Sequence, residues 1–232
     1  MKGGKTVYGA SLGILMLETR FPRTRGDIGN AGTWPFPVLY GVVAGATPDR
    51  AVRRDPMELA APFIEEGRRL VRMGADGIAT NCGFLSLLQT QMADALGVPV
   101  ASSSLMQAPL VAATLPKGLR VGILTISKQT LSPAHLAAAG VPEGTPVEGT
   151  DGGAFSGAIL NDRAQMDLDA CRADLLAGTE RLMAHGDVGA VLLECTNMVP
   201  WAAEIRAAAG VPVFSIETFL RWFQSGLEPR RF

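Results

Sequence analysis

Val188-Gly189-Ala190-Val191-Leu192-Leu193-Glu194-Cys195-Thr196-Asn197 is an apolar run that ends on a cysteine, and Gly77-Ile78-Ala79-Thr80-Asn81-Cys82-Gly83 is its earlier counterpart. The segments leading in also match: Arg69-Leu70-Val71-Arg72-Met73-Gly74 before the first, Arg181-Leu182-Met183-Ala184-His185-Gly186 before the second. Downstream, Gly97-Val98-Pro99-Val100 returns as Gly210-Val211-Pro212-Val213, at the same sequence offset as the two cysteines. Upstream, Gly13-Ile14-Leu15 returns as Gly122-Ile123-Leu124. Any one triplet could recur by chance, but landmarks in one order at a shared spacing point to a duplicated chain.

Working outward, short apolar runs bounded by glycine read as strands over Tyr8 to Leu17, Val38 to Val43, Gly77 to Asn81, Pro99 to Ala101, Arg120 to Ile126, near Val147, over Val188 to Leu193 and at Pro212 to Phe214. Helical spacing and stop signals place helices from Asp55-Pro56 to Met73, where Pro62 is a point of interruption, and over Phe84 to Leu96, Leu105 to Leu115, Gln129 to Ala139, Asp162 to Ala184, after Pro200, and from Glu217 to Phe223. Strands alternating with helices predict an α/β protein of two pseudo-symmetric Rossmann-like lobes, each a mostly parallel sheet flanked by helices, with the active site in the cleft between them. Lobe one is expected to comprise residues 1–118 plus 214–232 and to carry Cys82; lobe two, residues 119–213, carries Cys195. The tail should return to lobe one, with Trp222-Phe223 buried there.

At 232 residues and 47% hydrophobic the chain can bury a sizeable core, which excludes a disordered protein. With Lys+Arg 21 against Asp+Glu 22 and no polybasic run, nucleic acid is not an expected partner. Every apolar run is cut short of a membrane span, and no small-residue cleavage site marks Val7 to Leu17 as a signal peptide. Three cysteines without a C-x-x-C pair, and only two histidines, predict a reducing compartment, the cytoplasm, and no metal site. Dinucleotide, P-loop, zincin and nucleophile-elbow motifs are all missing, so no cofactor is expected. His135 and His185 read as surface or capping residues, and Cys171, on a helix without a counterpart in lobe one, as a small buried hydrophobe.

Cys82 and Cys195 differ in being at strand C-terminal ends, each entering a turn into a helix. In an open parallel sheet that edge carries the ligand crevice, and the helix N-terminus should favour a thiolate, predicting lowered thiol pKa values. Thr80, Asn81 and the Gly83 N–H flank one sulfur, and Glu194, Thr196 and Asn197 the other; the threonine and asparagine donors, with the backbone N–H groups, are suited to a carboxylate. Two thiols facing one cleft suit proton removal from one face of a carbon beside a carboxylate and proton delivery to the other. The glycine- and arginine-rich loop Phe21 to Asn30 should overhang the cleft, with Asp27 or Asn30 holding an ammonium or hydroxyl and an arginine holding a carboxylate. Ser102 to Ser104 are further possible donors.

The motifs Thr80-Asn81-Cys82-Gly83 and Glu194-Cys195-Thr196-Asn197 resemble those of the aspartate/glutamate racemase superfamily, the cofactor-independent two-cysteine racemases, over essentially the whole chain. The resemblance implies racemisation or epimerisation of an amino acid or related 2-substituted acid, with Cys82 and Cys195 as the acid/base pair. Glutamate racemases show Cys-Asn-Thr at the first site, Cys-Thr-His at the second and Asp-Ser-Gly after the first strand. Here Asn81 precedes the cysteine, Asn197 stands where that histidine would, and Glu18-Thr19-Arg20 follows the strand, all pointing away from glutamate. Within the superfamily, arylmalonate decarboxylases keep one of the two cysteines, so possession of both argues against that branch, while maleate isomerases carry both. A cysteine-dependent cis-trans isomerase or decarboxylase of a small dicarboxylic acid therefore stays open as the alternative, ahead of a non-catalytic small-acid binder. The expected partner is a small-molecule carboxylate, with self-association into a homo-oligomer left open.

Overall fold

The computed structural model describes residues 3–230. The first half runs β1 (Leu12–Leu17), β2 (Val38–Val43), α1 (Pro48–Val52), α2 (Ala60–Met73), β3 (Gly77–Thr80), α3 (Gln89–Leu96), β4 (Val100–Ala101) and α4 (Ala108–Thr114). The second runs β5 (Arg120–Thr125), α5 (Pro133–Ala138), β6 (Val147–Gly149), α6 (Ala154–Leu160), α7 (Leu168–Met183), β7 (Val188–Leu193), α8 (Ala202–Ala209), β8 (Val213–Phe214) and α9 (Ile216–Leu227). Each half forms a four-stranded sheet, in the orders β2-β1-β3-β4 and β6-β5-β7-β8, and every pairing is parallel. The order reverses between β1 and β3, and again between β5 and β7, so the topological switch point of each sheet falls where a cysteine turn begins.

Period-two alternation explains how β1 is covered. Leu12, Ile14 and Met16 share one apolar cluster with Ile216, Phe219 and Leu220 of α9, so the last helix does pack on the first sheet. Leu15 and Leu17 belong to the main core with Leu70 of α2. Gly13 lets α2 approach, because a Cβ there would lie 2.7 Å from Ile78 Cδ1 and 3.1 Å from Leu70 Cδ1. Gly122 does the same for α7, its Cβ position lying 2.9 Å from Val188 Cγ1 and 3.0 Å from Leu182 Cδ1. The repeated Gly-Ile-Leu triplet thus marks where a helix lies closest to the sheet. The repeated Gly-Val-Pro-Val has its own cause: Gly97 and Gly210 end α3 and α8 in the left-handed conformation, at φ 65° and 70°.

Several elements differ from the sequence expectation. The helix expected over Asp162 to Ala184 starts only at Leu168, capped by Asp167, and α6 precedes it. Asp162 itself has φ 49° and closes the turn after α6. The short α1 was not expected, although Thr47 caps it and Pro48 opens it. Pro62 falls in the first turn of α2, where a missing N–H costs nothing, so the helix is not broken there. Trp222 corrects the expectation of a buried pair: it is 60% exposed, stacked at 5.8 Å on Phe219, while Phe223 packs against the buried cluster. On α9 the sheet-facing stripe is Ile216, Phe219, Leu220 and Phe223, and Trp222 projects off it. No helix among the described residues is long and apolar enough to cross a membrane.

If the paired glycines are closest-approach points, Gly13→Val and Gly122→Val should each overpack a helix against its sheet and destabilise the protein by about 1–3 kcal/mol. Thermal unfolding followed by circular dichroism should show a midpoint lowered by roughly 2–4 °C per kcal/mol.

Candidate active site

The two cysteine turns are built alike. Beyond β3, Cys82 caps a 3₁₀ turn, Gly83–Leu88, that runs into α3; beyond β7, Cys195 caps Thr196–Trp201, which runs into α8. Leu85 N–H donates to Cys82 O at 3.1 Å, and Met198 N–H to Cys195 O at 3.1 Å. The residue before each cysteine ties back to its central strand: Asn81 N–H donates to Leu15 O at 3.0 Å and Glu194 N–H to Leu124 O at 2.9 Å. Their side chains repeat the pattern, since Asn81 Oδ1 accepts from Leu17 N–H at 2.8 Å and Glu194 Oε2 accepts from Ile126 N–H at 3.4 Å. Glu194 Oε2 also accepts from Thr125 Oγ1 at 2.8 Å.

Hydrogen bonds across the lobes bring the turns together. Thr196 Oγ1 donates to Asn81 O at 2.7 Å, and Ser104 Oγ donates to Leu193 O at 2.7 Å and Glu194 O at 2.9 Å. Gly83 permits this approach, because a Cβ there would strike the Glu194 carboxyl and lie 2.7 Å from Glu194 O. One small cavity results, lined by Asn81, Cys82, Gly83, Glu194, Cys195, Thr196 and Asn197 with Arg23 above an apolar wall that includes Phe21 and Phe84. Its volume is about 20 Å³, room for a single water. Both cysteines are buried and free.

The loop after β1 supplies the cavity's cation and its clamps. Arg23 Nη1 donates to Asp27 Oδ1 at 2.7 Å and Nη2 to Thr19 Oγ1 at 2.9 Å, and the guanidinium lies 4.5 Å from the centre of the Phe21 ring. Asp27 Oδ2 accepts from Asn197 Nδ2 at 2.6 Å, which turns Asn197 Oδ1 toward Cys195, whose Sγ donates to it at 3.5 Å. Asp162, across the cleft on lobe two, accepts from the backbone N–H groups of Arg20 and Phe21 at 2.6 and 3.2 Å. Loop and lobe two are therefore latched together over the cavity.

Of the residues singled out in the sequence, Cys82, Cys195, Asn81, Gly83, Thr196 and Asn197 line the cavity. Asp27 lies behind it, bonded to both Arg23 and Asn197. Asn30 caps the Ala31–Thr33 turn and donates to Arg23 O at 2.9 Å, and Thr80 Oγ1 donates to Ser102 O at 2.6 Å. Ser103 caps the Ser104–Gln107 turn, as a serine run at a strand end can. Two residues emerge that the sequence did not single out: Arg23, one of three loop arginines with nothing local to choose it, and Glu194, noted only as a polar neighbour. Glu194 was legible through the repeat, where it aligns with Asn81.

The thiols correct one expectation. Helix N-termini were expected to lower their pKa values, but burial dominates and pushes Cys82 up to about 12, with the Glu194 charge adding to it and the Phe84 and Leu85 N–H groups opposing. Cys195 is likewise raised, by burial and then by Glu194, against one N–H from Asn197. Burial lifts Glu194 itself to about 7, against the bonds from Thr125 and Ile126. Cys171, buried in α7, is also raised, to about 11. No cluster of three or more His, Cys, Asp or Glu side chains suited to a metal occurs among the described residues.

No family model matches the chain. Dimethylsulfoniopropionate lyase 7 of Emiliania huxleyi (strain CCMP1516) is 29% identical over 94% of this chain and 67% of its own length. A dimethylsulfoniopropionate lyase of Durusdinium sp. clade D is 28% identical over 92% of this chain and 75% of its own. For dimethylsulfoniopropionate lyase 6 of E. huxleyi the identity is 29%, and this chain spans little more than half that protein, 56%. Among solved structures, a glutamate racemase of Bacillus anthracis superposes with a TM-score of 0.67 at 14% identity, covering 94% of this chain and 81% of that one. Unliganded arylmalonate decarboxylase gives 0.57 at 18%, covering 94% and 92%. Allantoin racemase of Pseudomonas fluorescens gives 0.57 at 16%, covering 93% and 90%. The chain thus shares its two-lobed, all-parallel fold with glutamate, aspartate and allantoin racemases and with arylmalonate decarboxylase.

Proposed function

We propose that the chain is an enzyme that removes the proton from the carbon next to the carboxylate of a small acid, with a cavity thiolate as the base. The observation that carries this reading is the convergence of Cys82 and Cys195, from matching strand ends, on one cavity that also holds an arginine. In this reading Arg23 receives the substrate carboxylate, a role its planar fork suits, and Asn81, Thr196 and Asn197 stabilise the enediolate-like charge that forms as the proton leaves. The loop from Arg20 to Asn30 must unlatch to admit an acid, since the closed cavity holds one water.

The fate of the carbanion-like species decides the reaction class. Where the next carbon carries a leaving group, the electron pair of the broken C–H bond forms a C=C bond and the leaving group departs with its own bonding pair. For dimethylsulfoniopropionate, the substrate in the names of the relatives, this gives dimethyl sulfide and acrylate. Where there is none, the opposite thiol returns a proton to the other face and the acid is racemised. We favour elimination, because the two sides of this cavity are unlike: Glu194 stands beside one thiol where Asn81 stands beside the other, and only Cys195 is held by a side-chain acceptor. Racemisation or epimerisation of a 2-substituted acid is the second reading, supported by the fold shared with glutamate and allantoin racemases.

Proton NMR in D2O separates the two. With 3-(dimethylsulfonio)propionate the expected result is release of dimethyl sulfide and acrylate; with a panel of D and L amino acids and 2-substituted acids, racemisation would instead appear as deuterium at the α carbon of the retained acid. Neither release nor exchange with any of them would defeat the reading.

Substitution gives a second check. Cys82→Ala and Cys195→Ala should each lower turnover by about 10²–10⁴-fold, the usual contribution of a positioned acid or base, without loss of fold. Cys171→Ala should leave turnover unchanged; an essential Cys171 with a dispensable Cys82 would contradict the assignment.

A further inference from the structure

Glu194 is 1% exposed and sits in lobe two where lobe one has Asn81. Both side chains do the same structural work, accepting the N–H at the end of the central strand, at Leu17 and Ile126. A glutamine at 194 could accept from Ile126 N–H and Thr125 Oγ1 as well as the carboxylate does. What glutamate adds is an ionisable group, and burying one that makes no ion pair, Arg23 being taken by Asp27, costs free energy that an amide avoids. Its second oxygen, Oε1, is the atom turned toward Gly83, next to Cys82 in the opposite lobe. The ionisable or charged groups facing it are the two thiols and Arg23 in the same cavity, with Asp27 acting on Cys195 from behind Asn197.

The thiols differ in where their protons can go. Cys195 donates to Asn197 Oδ1, which Asp27 holds in place. Cys82 lies on the Gly83 side, next to the Glu194 carboxyl, and the N–H groups of Phe84 and Leu85 at the start of its turn oppose the rise that burial imposes on its thiol.

We propose that Glu194 is a further acid–base residue of this site: it shares one ionisation with Cys82, accepting the S–H proton when that thiolate forms. The S–H bond of Cys82 breaks, its electron pair stays on sulfur, and an O–H bond forms on Glu194. This rests on the reading that a cavity thiolate removes the substrate proton. Cys82 then takes that proton, and Glu194 loses its own to water before the next turnover, one proton released per carbon acid cleaved. Cys195 remains the thiol of the pair. Burial raises Glu194 above the ordinary carboxylate range, which makes it a stronger base for this proton than an exposed carboxylate would be.

The test is the pH dependence of Cys82 alkylation by iodoacetamide in the full chain, read by peptide mass spectrometry between pH 5.5 and 9, for the wild type and Glu194→Gln. If one ionisation is shared, wild-type labelling climbs to about pH 7 and then levels, since above that pH the pair holds a single proton and the share of it that leaves Cys82 as thiolate no longer changes with pH. In Glu194→Gln the plateau vanishes and labelling keeps rising to pH 9. Superimposable profiles, or a wild-type Cys82 that does not label below pH 9, overturn the proposal. Turnover is the second readout: Glu194→Gln should lose about 10²–10⁴-fold in kcat with little change in KM, and an unchanged kcat overturns the proposal as well. Alkylation needs no substrate, so its outcome stands apart from any failure of the α-proton reading, which would show as absence of turnover in the wild type.

Discussion

The close approach of Gly83 to Glu194 governs the rest of the site. Two sheets that share a chain have no need to place their crevices face to face; here the missing Cβ at Gly83 and the hydroxyls of Thr196 and Ser104 stitch the C-terminal end of β3 to that of β7. Each of these bonds is buried, where a lost partner leaves an orphaned carbonyl that costs about 1–3 kcal/mol. Because the stitched residues are the immediate neighbours of Cys82 and Cys195, the same contacts that hold the lobes also fix the thiols around one space.

Water is kept out by the same closure, and the titration of the site follows. Exclusion of solvent raises both thiols and the carboxyl together, so the cavity admits one negative charge with difficulty and a second hardly at all. The cation that could accompany an incoming carboxylate is Arg23, and Asp27 pins it along with Asn197. A substrate carboxylate would thus meet a preorganised guanidinium in a dry site, where electrostatic interactions are strongest.

Much of this was legible in the sequence because the duplication carried it. The paired glycines, the paired cysteines and the paired Gly-Val-Pro-Val segments each had a steric or conformational cause that the structure makes visible: helices close to a sheet, turns at the crevice, left-handed helix ends. What was not legible was whatever depends on contact between distant residues. Nothing local distinguishes Arg23 from Arg20 or Arg25, and the break between α6 and α7 rests on Asp162 reaching back to the loop after β1. The thiol pKa values went astray for a related reason: a helix N-terminus is visible in sequence, but the depth of burial that outweighs it is not. Trp222 was placed inside on composition, whereas its position around α9 decides that it faces out.

The central claim is that the cavity between Cys82 and Cys195 is where a carboxylate binds. A crystal structure of the protein soaked with a small unreactive acid such as propionate measures this directly. The expected result is a carboxylate on the Arg23 guanidinium, its second carbon between the two sulfurs, with the Arg20 to Asn30 loop displaced from Asp162. Propionate bound only elsewhere at saturating concentration, with the thiols and Arg23 untouched, would contradict the account.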